Sequence, residues 1–296
     1  MKVPKIATVI NFCSSDYPFL KHCVLAAAPF SQQILIPVCD HFYDGQPEDL
    51  ETLKAIYAEF PFCTFLQYPF HHSLSLAGCV KRRFLPNLAR LLSFYFTKEP
   101  IDYLFFLDAD EIVETEKFLL WLEQFPLEDY DAVRLACYWY FREARHQSLE
   151  WEDTPLLIKK TAVSCEGIMD PLERAGLFDQ LTSSKLRYVK GVDERPLIHH
   201  YSWVRTKEQL LHKVATWSHR NERQWHTLLE EEFSRPFSGR DFVHGYSFKE
   251  VFPYIDLDVH SVPQKQCTTE SANHVRFLTD QDMIKIDLSL RFNLCL

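Results

Sequence analysis

The sequence has few glycines, lacks long apolar runs and carries no excess of basic residues. Seven glycines in 296 residues argue against long flexible linkers. No apolar stretch is long enough to span a bilayer, and residues 1–5 lack the features of a signal peptide. The formal net charge of −9 disfavours non-specific binding to nucleic acid, which needs a basic surface. We therefore expect a cytoplasmic protein with no transmembrane segment and no nucleic-acid partner, whereas peripheral contact with a membrane stays open.

Paired cysteines are also lacking. The nine cysteines are an odd number and form no Cys-x-x-Cys motif. Several of them, such as Cys39 and Cys63, lie in apolar runs, where a free thiol behaves as a small hydrophobic group. This pattern argues against a disulfide framework or a structural zinc site and favours a reducing compartment. Hydrophobic residues make up 47% of the chain and charged residues 25%, which is typical of a globular protein.

The first half of the chain alternates between the apolar patterns of strands and helices. Strands are predicted at residues 6–12, 34–39, 63–68 and 103–107, and helices at 16–28, 47–61, 76–96 and 115–126. This order predicts an α/β fold with a mostly parallel central sheet. Further strands are predicted at 132–141, 155–161 and 197–203, and a helix at 206–220. We expect one domain over residues 1–230 and a small C-terminal appendage over residues 231–296.

The segment YLFFLDADE at residues 103–111 gives the clearest functional signal. Its continuous apolar run fits a strand buried on both faces. Asp108 and Asp110 point to the same side if the strand persists through them. Two carboxylates at the end of a strand are costly without a cation, and they suit Mg²⁺ or Mn²⁺. The alternative is an acidic loop that is solvated or caps the next helix.

Other candidate residues lie near the ends of predicted strands. Phe12 and Asp40 end the first two strands, and ligands of parallel sheets bind beyond the carboxyl ends of strands. His200 is a candidate third metal ligand through a ring nitrogen, or else a core histidine beside Trp203. His199 alternates to the other face and is the weaker choice.

A basic cluster precedes the fourth strand. It consists of Lys81, Arg82 and Arg83, near the start of a predicted helix. These side chains either reach a pyrophosphate from the rim of the sheet or form a solvated helix face.

These motifs resemble the GT-A class of nucleotide-sugar-dependent glycosyltransferases, close to the family 2 type. The resemblance rests on the strand–helix–strand of residues 6–40, the Asp-x-Asp of residues 108–110, and a later motif. That motif is His200-Tyr201-Ser202-Trp203-Val204-Arg205, followed by a helix that carries Lys213 and His219. The resemblance covers about the first 220 residues, by order and spacing of elements rather than by long identity.

The resemblance implies a GT-A fold and a glycosyltransferase that uses a UDP- or GDP-sugar with Mn²⁺ or Mg²⁺. By position, it implies that Asp40 contacts the nucleoside, and that Asp108 and Asp110 hold the metal bound to the diphosphate. It also implies that His200 completes the metal shell. The acceptor would be a glycan, a lipid or a protein.

The base of an inverting transfer is less clearly marked. Members of the family carry an acid pair after a Gly-Gly-Phe-Asp-like turn, and this chain has Gly176-Leu177-Phe178-Asp179 without a following Glu-Asp pair. Asp179 is the candidate base that we select, with Asp193 and Glu194 as the nearest alternatives. Asp179 as a simple turn cap, or a retaining reaction without a base, stays open.

Two alternatives belong to other functional classes. A sugar-nucleotide nucleotidyltransferase also uses paired acids and a metal, but it usually has a Gly- and Lys/Arg-rich loop after the first strand. Here that position reads NFCSS, at residues 11–15. A transferase-like binding module without turnover is disfavoured by the intact Asp108 and Asp110 and favoured by the missing Glu-Asp pair.

Overall fold

The structure, a computed structural model, describes residues 4–70, 84–98, 100–264 and 274–292. It contains two β-sheets with helices packed around them. The strands are β1 (Ile6–Asn11), β2 (Ser31–Cys39), β3 (Thr64–Tyr68), β4 (Tyr103–Asp108), β5 (Glu111–Val113), β6 (Ala132–Leu135), β7 (Cys137–Phe141), β8 (Glu143–Glu152), β9 (Leu156–Lys159), β10 (Lys185–Val189), β11 (Ile198–Trp203), β12 (Phe248–Glu250) and β13 (Val275–Phe277). The α-helices are α1 (Tyr17–Ala27), α2 (Leu50–Glu59), α3 (Phe84–Phe96), α4 (Thr115–Gln124), α5 (Cys165–Ile168), α6 (Glu173–Gln180), α7 (Lys207–Thr216), α8 (Trp225–Phe233) and α9 (Asp280–Phe292).

In the part of the chain that the structure describes, the central sheet has the strand order β10-β6-β9-β4-β1-β2-β3-β13. Strand β1 is parallel to β2 and β4, and β3 is parallel to β2 and β13. Strand β9 is antiparallel to its neighbours β4 and β6, and β10 is parallel to β6. The predicted α/β fold with a mostly parallel central sheet is therefore confirmed.

Strand β4 lies at the centre of the sheet and is covered on both faces. Phe105 and Leu107 belong to the core cluster that includes residues of α1 and α4, whereas Leu104 and Phe106 belong to the cluster formed with α3. This two-sided burial explains the uninterrupted apolar run, since each fully buried side chain of this size contributes about 1.5–3 kcal/mol. The strand thus holds Asp108, its last residue, rigidly at the carboxyl end of the sheet.

A second sheet, with the strand order β12-β8-β7-β11-β5, adjoins the first. Its short strand β5 begins at Glu111, only three residues after β4 ends. The turn at Ala109 and Asp110 is therefore the point where the chain passes from one sheet to the other.

Several predicted elements differ in detail from the structure. The strand predicted at residues 132–141 is two strands, because the chain changes sheets at Ala136. Strand β8 was not predicted, and its many charged residues hide its pairing with β7 and β12. Helix α4 begins at Thr115, as predicted, with Glu114 at its N-cap, and the Thr115 hydroxyl donates to the Ala26 carbonyl at 2.9 Å.

The C-terminal segment adds to both sheets. Strand β12 pairs with β8 of the second sheet, and β13 pairs with β3 of the central sheet. Helix α8 runs across the predicted boundary at residue 230, and that boundary stays a prediction. None of the helices in the described ranges is long and apolar enough to cross a membrane.

Candidate active site

A cleft of about 520 Å³ opens beyond the carboxyl ends of β1 and β4. The central sheet, the second sheet and the helices α3, α6 and α7 all contribute to its walls. Its lining includes Asn11, Phe12, Asp16, Phe42, Tyr43, Arg90, Asp108, Asp110, Trp139, Glu152, Glu173, Arg174, His200, Lys213 and Trp217. The cleft thus lies where ligands of parallel α/β sheets bind.

Asp108 lies in the cleft between two arginines. Its carboxylate oxygens are 2.9 Å from Arg174 Nη2 and 3.4 Å from Arg90 Nη2. Burial alone would raise the pKa of Asp108, but the positive charges of Arg174 and Arg90 hold that pKa below its ordinary value. Asp108 therefore stays ionised at neutral pH.

Asp110 lies within the turn between the sheets and is paired with a different set of cations. Its Oδ2 accepts hydrogen bonds from Arg205 Nη2 at 3.0 Å and from Lys213 Nζ at 3.1 Å. Burial opposes ionisation, but Lys213 and Arg205 hold the pKa of Asp110 well below its ordinary value. The other oxygen, Oδ1, lies 3.6 Å from His200 Nε2, which is too far for a hydrogen bond.

The fully buried Glu111 fixes the geometry of the turn. Its carboxylate accepts from Arg174 Nη1 at 2.6 Å and Nη2 at 2.9 Å, and from the Asp108 backbone N–H at 2.9 Å. The Thr154 hydroxyl adds a fourth hydrogen bond at 2.7 Å. Arg174 therefore connects the buried Glu111 to Asp108 in the cleft. Its two hydrogen bonds to Glu111 fix the orientation of the guanidinium group.

Arg90 and Arg174 are functional candidates that the sequence analysis missed. Arg90 donates to Asn87 Oδ1 at 3.1 Å and to Glu173 Oε2 at 2.9 Å, besides its contact with Asp108. In the amide orientation that satisfies both groups, the oxygen of Asn11 accepts from Arg90 Nη2 at 2.8 Å. A signal was present in α3, where the polar Asn87 and Arg90 are three residues apart on an otherwise apolar face.

Phe12 and Asp40 differ in their relation to the cleft. Phe12 is buried and lines it, as do Phe42 and Tyr43 from the loop after β2. Asp40 lies at the end of β2, where its Oδ1 accepts from the Phe70 backbone N–H at 2.6 Å, and it is not among the lining residues. The structure thus gives Asp40 a role in joining two strand ends, and its contact with a nucleoside stays a prediction.

The two adjacent histidines of β11 point in opposite directions, as strand alternation predicts. His200 lines the cleft next to Asp110. His199 instead contacts Tyr140 through Nδ1 at 2.6 Å and Glu114 through Nε2 at 2.9 Å.

Asp179 is not brought to the cleft. The sequence Gly176-Leu177-Phe178-Asp179 lies within α6, whose buried residues include Arg174, Leu177 and Phe178. Asp179 follows on the outer face and is exposed to solvent. Glu173, at the start of the same helix, is the α6 carboxylate that lines the cleft. The predicted Arg82, with Lys81 and Arg83, lies outside the described residues.

The carboxylate oxygens of Asp108 and Asp110 meet some of the requirements of a site for a divalent cation. Asp110 Oδ1 accepts no hydrogen bond from the described residues, and both aspartates are ionised and face the cleft. Carboxylate oxygens are the ligands that Mg²⁺ and Mn²⁺ prefer. Against this, Asp108 and the Oδ2 atom of Asp110 are already paired with cations, so an incoming ion has to displace or share these contacts.

Comparison with known proteins gives similarity of fold only. No protein-family model and no curated protein matches the sequence. The glycosyltransferase GlyE of Streptococcus pneumoniae TIGR4 is similar at 14% identity and a TM-score of 0.38, over 78% of this chain and 64% of that one, less than two thirds of its length. Glucosyl-3-phosphoglycerate synthase from Mycobacterium tuberculosis, solved with Mn²⁺, UDP and phosphoglyceric acid, is similar at 12% identity and a TM-score of 0.41. The similarity covers 88% of this chain and 89% of that one. The inositol-1-phosphate CTP transferase from T. maritima is similar at 7% identity and a TM-score of 0.40, over 70% of this chain and 94% of that one. With TM-scores below 0.5, these similarities carry no functional argument, and the function has to be inferred from the cleft.

Proposed function

We propose that this protein is a glycosyltransferase that transfers a sugar from a nucleotide-sugar donor with the help of a divalent cation. The observation that carries the proposal is the pair Asp108 and Asp110 at the end of a central strand, facing a cleft that also holds fixed cations. Breaking a sugar–phosphate bond leaves a diphosphate whose negative charge grows in the transition state. Preorganised positive groups stabilise that charge most effectively in a partly desolvated site.

The resident cations supply part of that stabilisation. Arg90 approaches the cleft from α3, Arg174 from α6 and Lys213 from α7. Each is held in place by carboxylates, so little reorganisation is needed when the diphosphate binds. Guanidinium groups suit phosphate because their donors form parallel pairs of hydrogen bonds.

The charge balance of the cleft favours an additional cation. Among the residues that the structure describes, its lining contains six carboxylates and five arginines or lysines. A bound diphosphate adds about two negative charges, which the resident cations offset only in part because they are already paired with carboxylates. We propose that Asp108 and Asp110 hold Mn²⁺ or Mg²⁺, with Oδ1 of Asp110, which accepts no hydrogen bond from the described residues, as the first ligand. When bound, the ion would act as a Lewis acid toward the diphosphate oxygens.

Calorimetric titration with UDP and with GDP, each with and without Mn²⁺, tests the proposal. We expect binding of one of the two nucleotides that depends on Mn²⁺ and that Asp110→Asn weakens at least tenfold. Asparagine is preferable to alanine, because its amide oxygen can still accept from the buried Arg205 and Lys213, whereas alanine removes one acceptor from each. Asp131→Asn is the matched control, since Asp131 pairs with Lys159 away from the cleft.

Turnover separates this proposal from the two alternatives. A glycosyltransferase hydrolyses or transfers from a nucleotide sugar, whereas a nucleotidyltransferase releases pyrophosphate from a nucleoside triphosphate and a sugar phosphate. The connection after β1 contains no glycine between residues 11 and 15, which disfavours the second reaction. Binding of a nucleotide sugar without any turnover would indicate a binding module and contradict the proposal.

A further inference from the structure

A second group of possible metal ligands lies behind the cleft. A ligand atom from each of Cys137, Glu152 and His200 lies within 4.8 Å of the other two. The three residues come from β7, β8 and β11, which are neighbours in the second sheet. Cys137 is directly opposite Glu152 in the β7–β8 pairing, and this register fixes their relative positions. Ligands on paired strands are held more precisely than ligands on loops.

The imidazole of His200 shows that the cluster is not satisfied by its own hydrogen bonds. His200 is only 8% exposed, yet its Nδ1 has no hydrogen-bond partner among the described residues. This atom points toward Glu152 and lies 3.5 Å from its Oε2. The 3.5 Å contact is an ion pair without a well-formed hydrogen bond, so an ion bound between the two side chains would give both of them a direct ligand contact.

The spacing of the ligand atoms suits a tetrahedral ion. Bond lengths of about 2.3 Å to sulfur and 2.0–2.1 Å to nitrogen or oxygen place tetrahedral ligand atoms roughly 3.3–3.6 Å apart. The separation between His200 Nδ1 and Glu152 Oε2 already has this value. The other separations have to shorten by at most about 1.5 Å, given the 4.8 Å limit on the cluster.

The chemistry of the three ligands selects zinc over the ions proposed for the nucleotide. Thiolate and imidazole favour Zn²⁺, whereas Mg²⁺ and Mn²⁺ prefer oxygen ligands. Two anionic ligands, Cys137 and Glu152, balance the charge of the ion. The ion can enter from the cleft, which Glu152 and His200 line, while Cys137 is fully buried behind them.

We propose that Cys137, Glu152 and His200 Nδ1 form a zinc site adjoining the cleft. Three protein ligands leave a fourth position for water. The lack of a Cys-x-x-Cys motif had argued against structural zinc, but the sequence could not show this site because its ligands are brought together by strand pairing.

The same ring connects this site with Asp110. An imidazole that binds zinc through Nδ1 carries its proton on Nε2, and here Nε2 faces Asp110 Oδ1 at 3.6 Å. If these two atoms move slightly closer, they form the carboxylate–histidine–zinc arrangement that is common in zinc proteins. In this assignment His200 positions Asp110, and the ion bound to the diphosphate takes Asp108 and Asp110 as its ligands.

Cobalt substitution tests the site without reference to nucleotide binding. After treatment with a chelator, the full chain is titrated with Co²⁺ and then with Zn²⁺. We expect one Co²⁺ per chain with a thiolate-to-cobalt charge-transfer band in the near ultraviolet, and we expect Zn²⁺, but not Mg²⁺, to abolish this band. Cys137→Ala should lose the band, whereas Cys39→Ala, which alters another buried strand cysteine, should keep it.

Glu152→Gln provides a second variant if Cys137→Ala does not fold, because the Glu152 side chain lies at the cleft surface. We expect it to weaken Co²⁺ binding at least about 100-fold, because Glu152 is a direct ligand and even the outer partners of metal ligands contribute roughly 10- to 100-fold. A wild-type protein without the band, or a band that persists in both variants, overturns the proposal. Either result leaves the nucleotide-binding proposal intact, since no nucleotide is present in this experiment.

Discussion

Glu173 combines an unusual backbone conformation with a carboxylate in the cleft. Its φ of 57° lies in the left-handed region, which costs a non-glycine residue about 1–3 kcal/mol. The surrounding contacts maintain this conformation, since the carboxylate accepts from Arg90 Nη1 at 2.9 Å and lies 3.8 Å from His219 Nε2. We infer that Glu173 positions Arg90, which in turn contacts Asp108.

Glu173→Gln should therefore weaken the binding of UDP or GDP in the presence of Mn²⁺. Glutamine can still accept from Arg90, but the ion pair is lost, and a hydrogen bond between charged groups is worth about 1.5–3 kcal/mol, so the loss of affinity should lie between a few-fold and roughly 100-fold. The matched variant is Asp179→Asn, in the same helix but on its exposed face, and we expect it to change affinity less than twofold. Equal effects of the two substitutions, measured by calorimetry, would contradict the placement of Glu173.

At the scale of single residues, the sequence reveals the acids better than their partners. Asp108 and Asp110 are recognisable because an apolar strand precedes them. The partner of Glu111 is Arg174, 63 residues later, and no local pattern connects them. Asp179 ends a tetrapeptide that resembles a turn in the sequence, but the helical period of α6 buries Leu177 and Phe178 and leaves Asp179 exposed.

At the scale of elements, the loop before α6 depends on a close contact at Gly176. A Cβ atom at this position would lie 1.9 Å from Asp170 Oδ1 and 2.7 Å from Asp170 Cβ, so the whole side chain would have to move. Asp170 stabilises the loop through hydrogen bonds from the Leu172 backbone N–H and from Gln180 Nε2, each at 2.7 Å. Asn87 Nδ2 also donates to the Asp170 carbonyl at 2.7 Å and ties the loop to α3.

Gly176→Ala should destabilise the protein, although alanine favours a helix over glycine by about 1 kcal/mol. The clash with Asp170 outweighs this gain, because overpacking typically costs 1–3 kcal/mol. We expect urea unfolding to show a net loss of up to about 2 kcal/mol in the free energy of unfolding. A more stable variant would show that Asp170 can move without cost.

A hydrogen-bond chain connects three strands of the second sheet to the start of α4. Gln147 Nε2 donates to the Tyr140 hydroxyl at 2.7 Å, and that hydroxyl lies 2.6 Å from His199 Nδ1. His199 Nε2 lies 2.9 Å from Glu114 Oε1. Burial lowers the pKa of His199 below its ordinary value, although Glu114 opposes the shift. His199 is therefore neutral, accepting from Tyr140 and donating to Glu114.

The hydrogen bonds of neutral His199 predict that the stability of the folded protein depends on pH. The unfolded chain binds a proton at His199 near pH 6.5, before the folded protein does, so the stabilisation by neutral His199 is complete above that pH and declines below it. His199→Gln should cost about 1–2 kcal/mol at pH 8, and the difference from wild type should shrink between pH 7 and pH 5.5. Urea unfolding across this range measures it, with the exposed His260→Gln as control. A difference that does not vary with pH would show that His199 titrates equally in both states.

The elements that the sequence predicts best are those whose apolar residues are all buried. The strands β1 and β4 are buried on both faces, and their apolar runs identify them directly. Strand β8 has exposed residues at both ends and charges throughout, so its sequence resembles a loop. The break at Ala136 is invisible because apolar residues continue on both sides while the chain changes sheets.

At the scale of the whole molecule, the cleft depends on contacts between parts that are far apart in sequence. Arg205, after β11, contacts both Asp110 and Asp16, the residue before α1. Lys213 Nζ uses three acceptors, since it also donates to the backbone and side-chain oxygens of Ser202. The cleft therefore forms only when the central sheet, the second sheet and α7 are assembled together.

Because the cleft and the assembled fold depend on each other, a ligand of the cleft should stabilise the whole chain against heat. A ligand that binds only the folded state at 100 times its dissociation constant contributes about 2.7 kcal/mol, which corresponds to a rise in Tm of roughly 5 °C for a chain of this size. We expect this rise with a nucleotide sugar and Mn²⁺ together, and a smaller rise with either alone. Asp110→Asn should remove the combined effect, whereas Asp131→Asn should retain it. A screen of UDP- and GDP-sugars by thermal shift measures these values, and an equal rise with and without Mn²⁺ would contradict the role of the divalent ion.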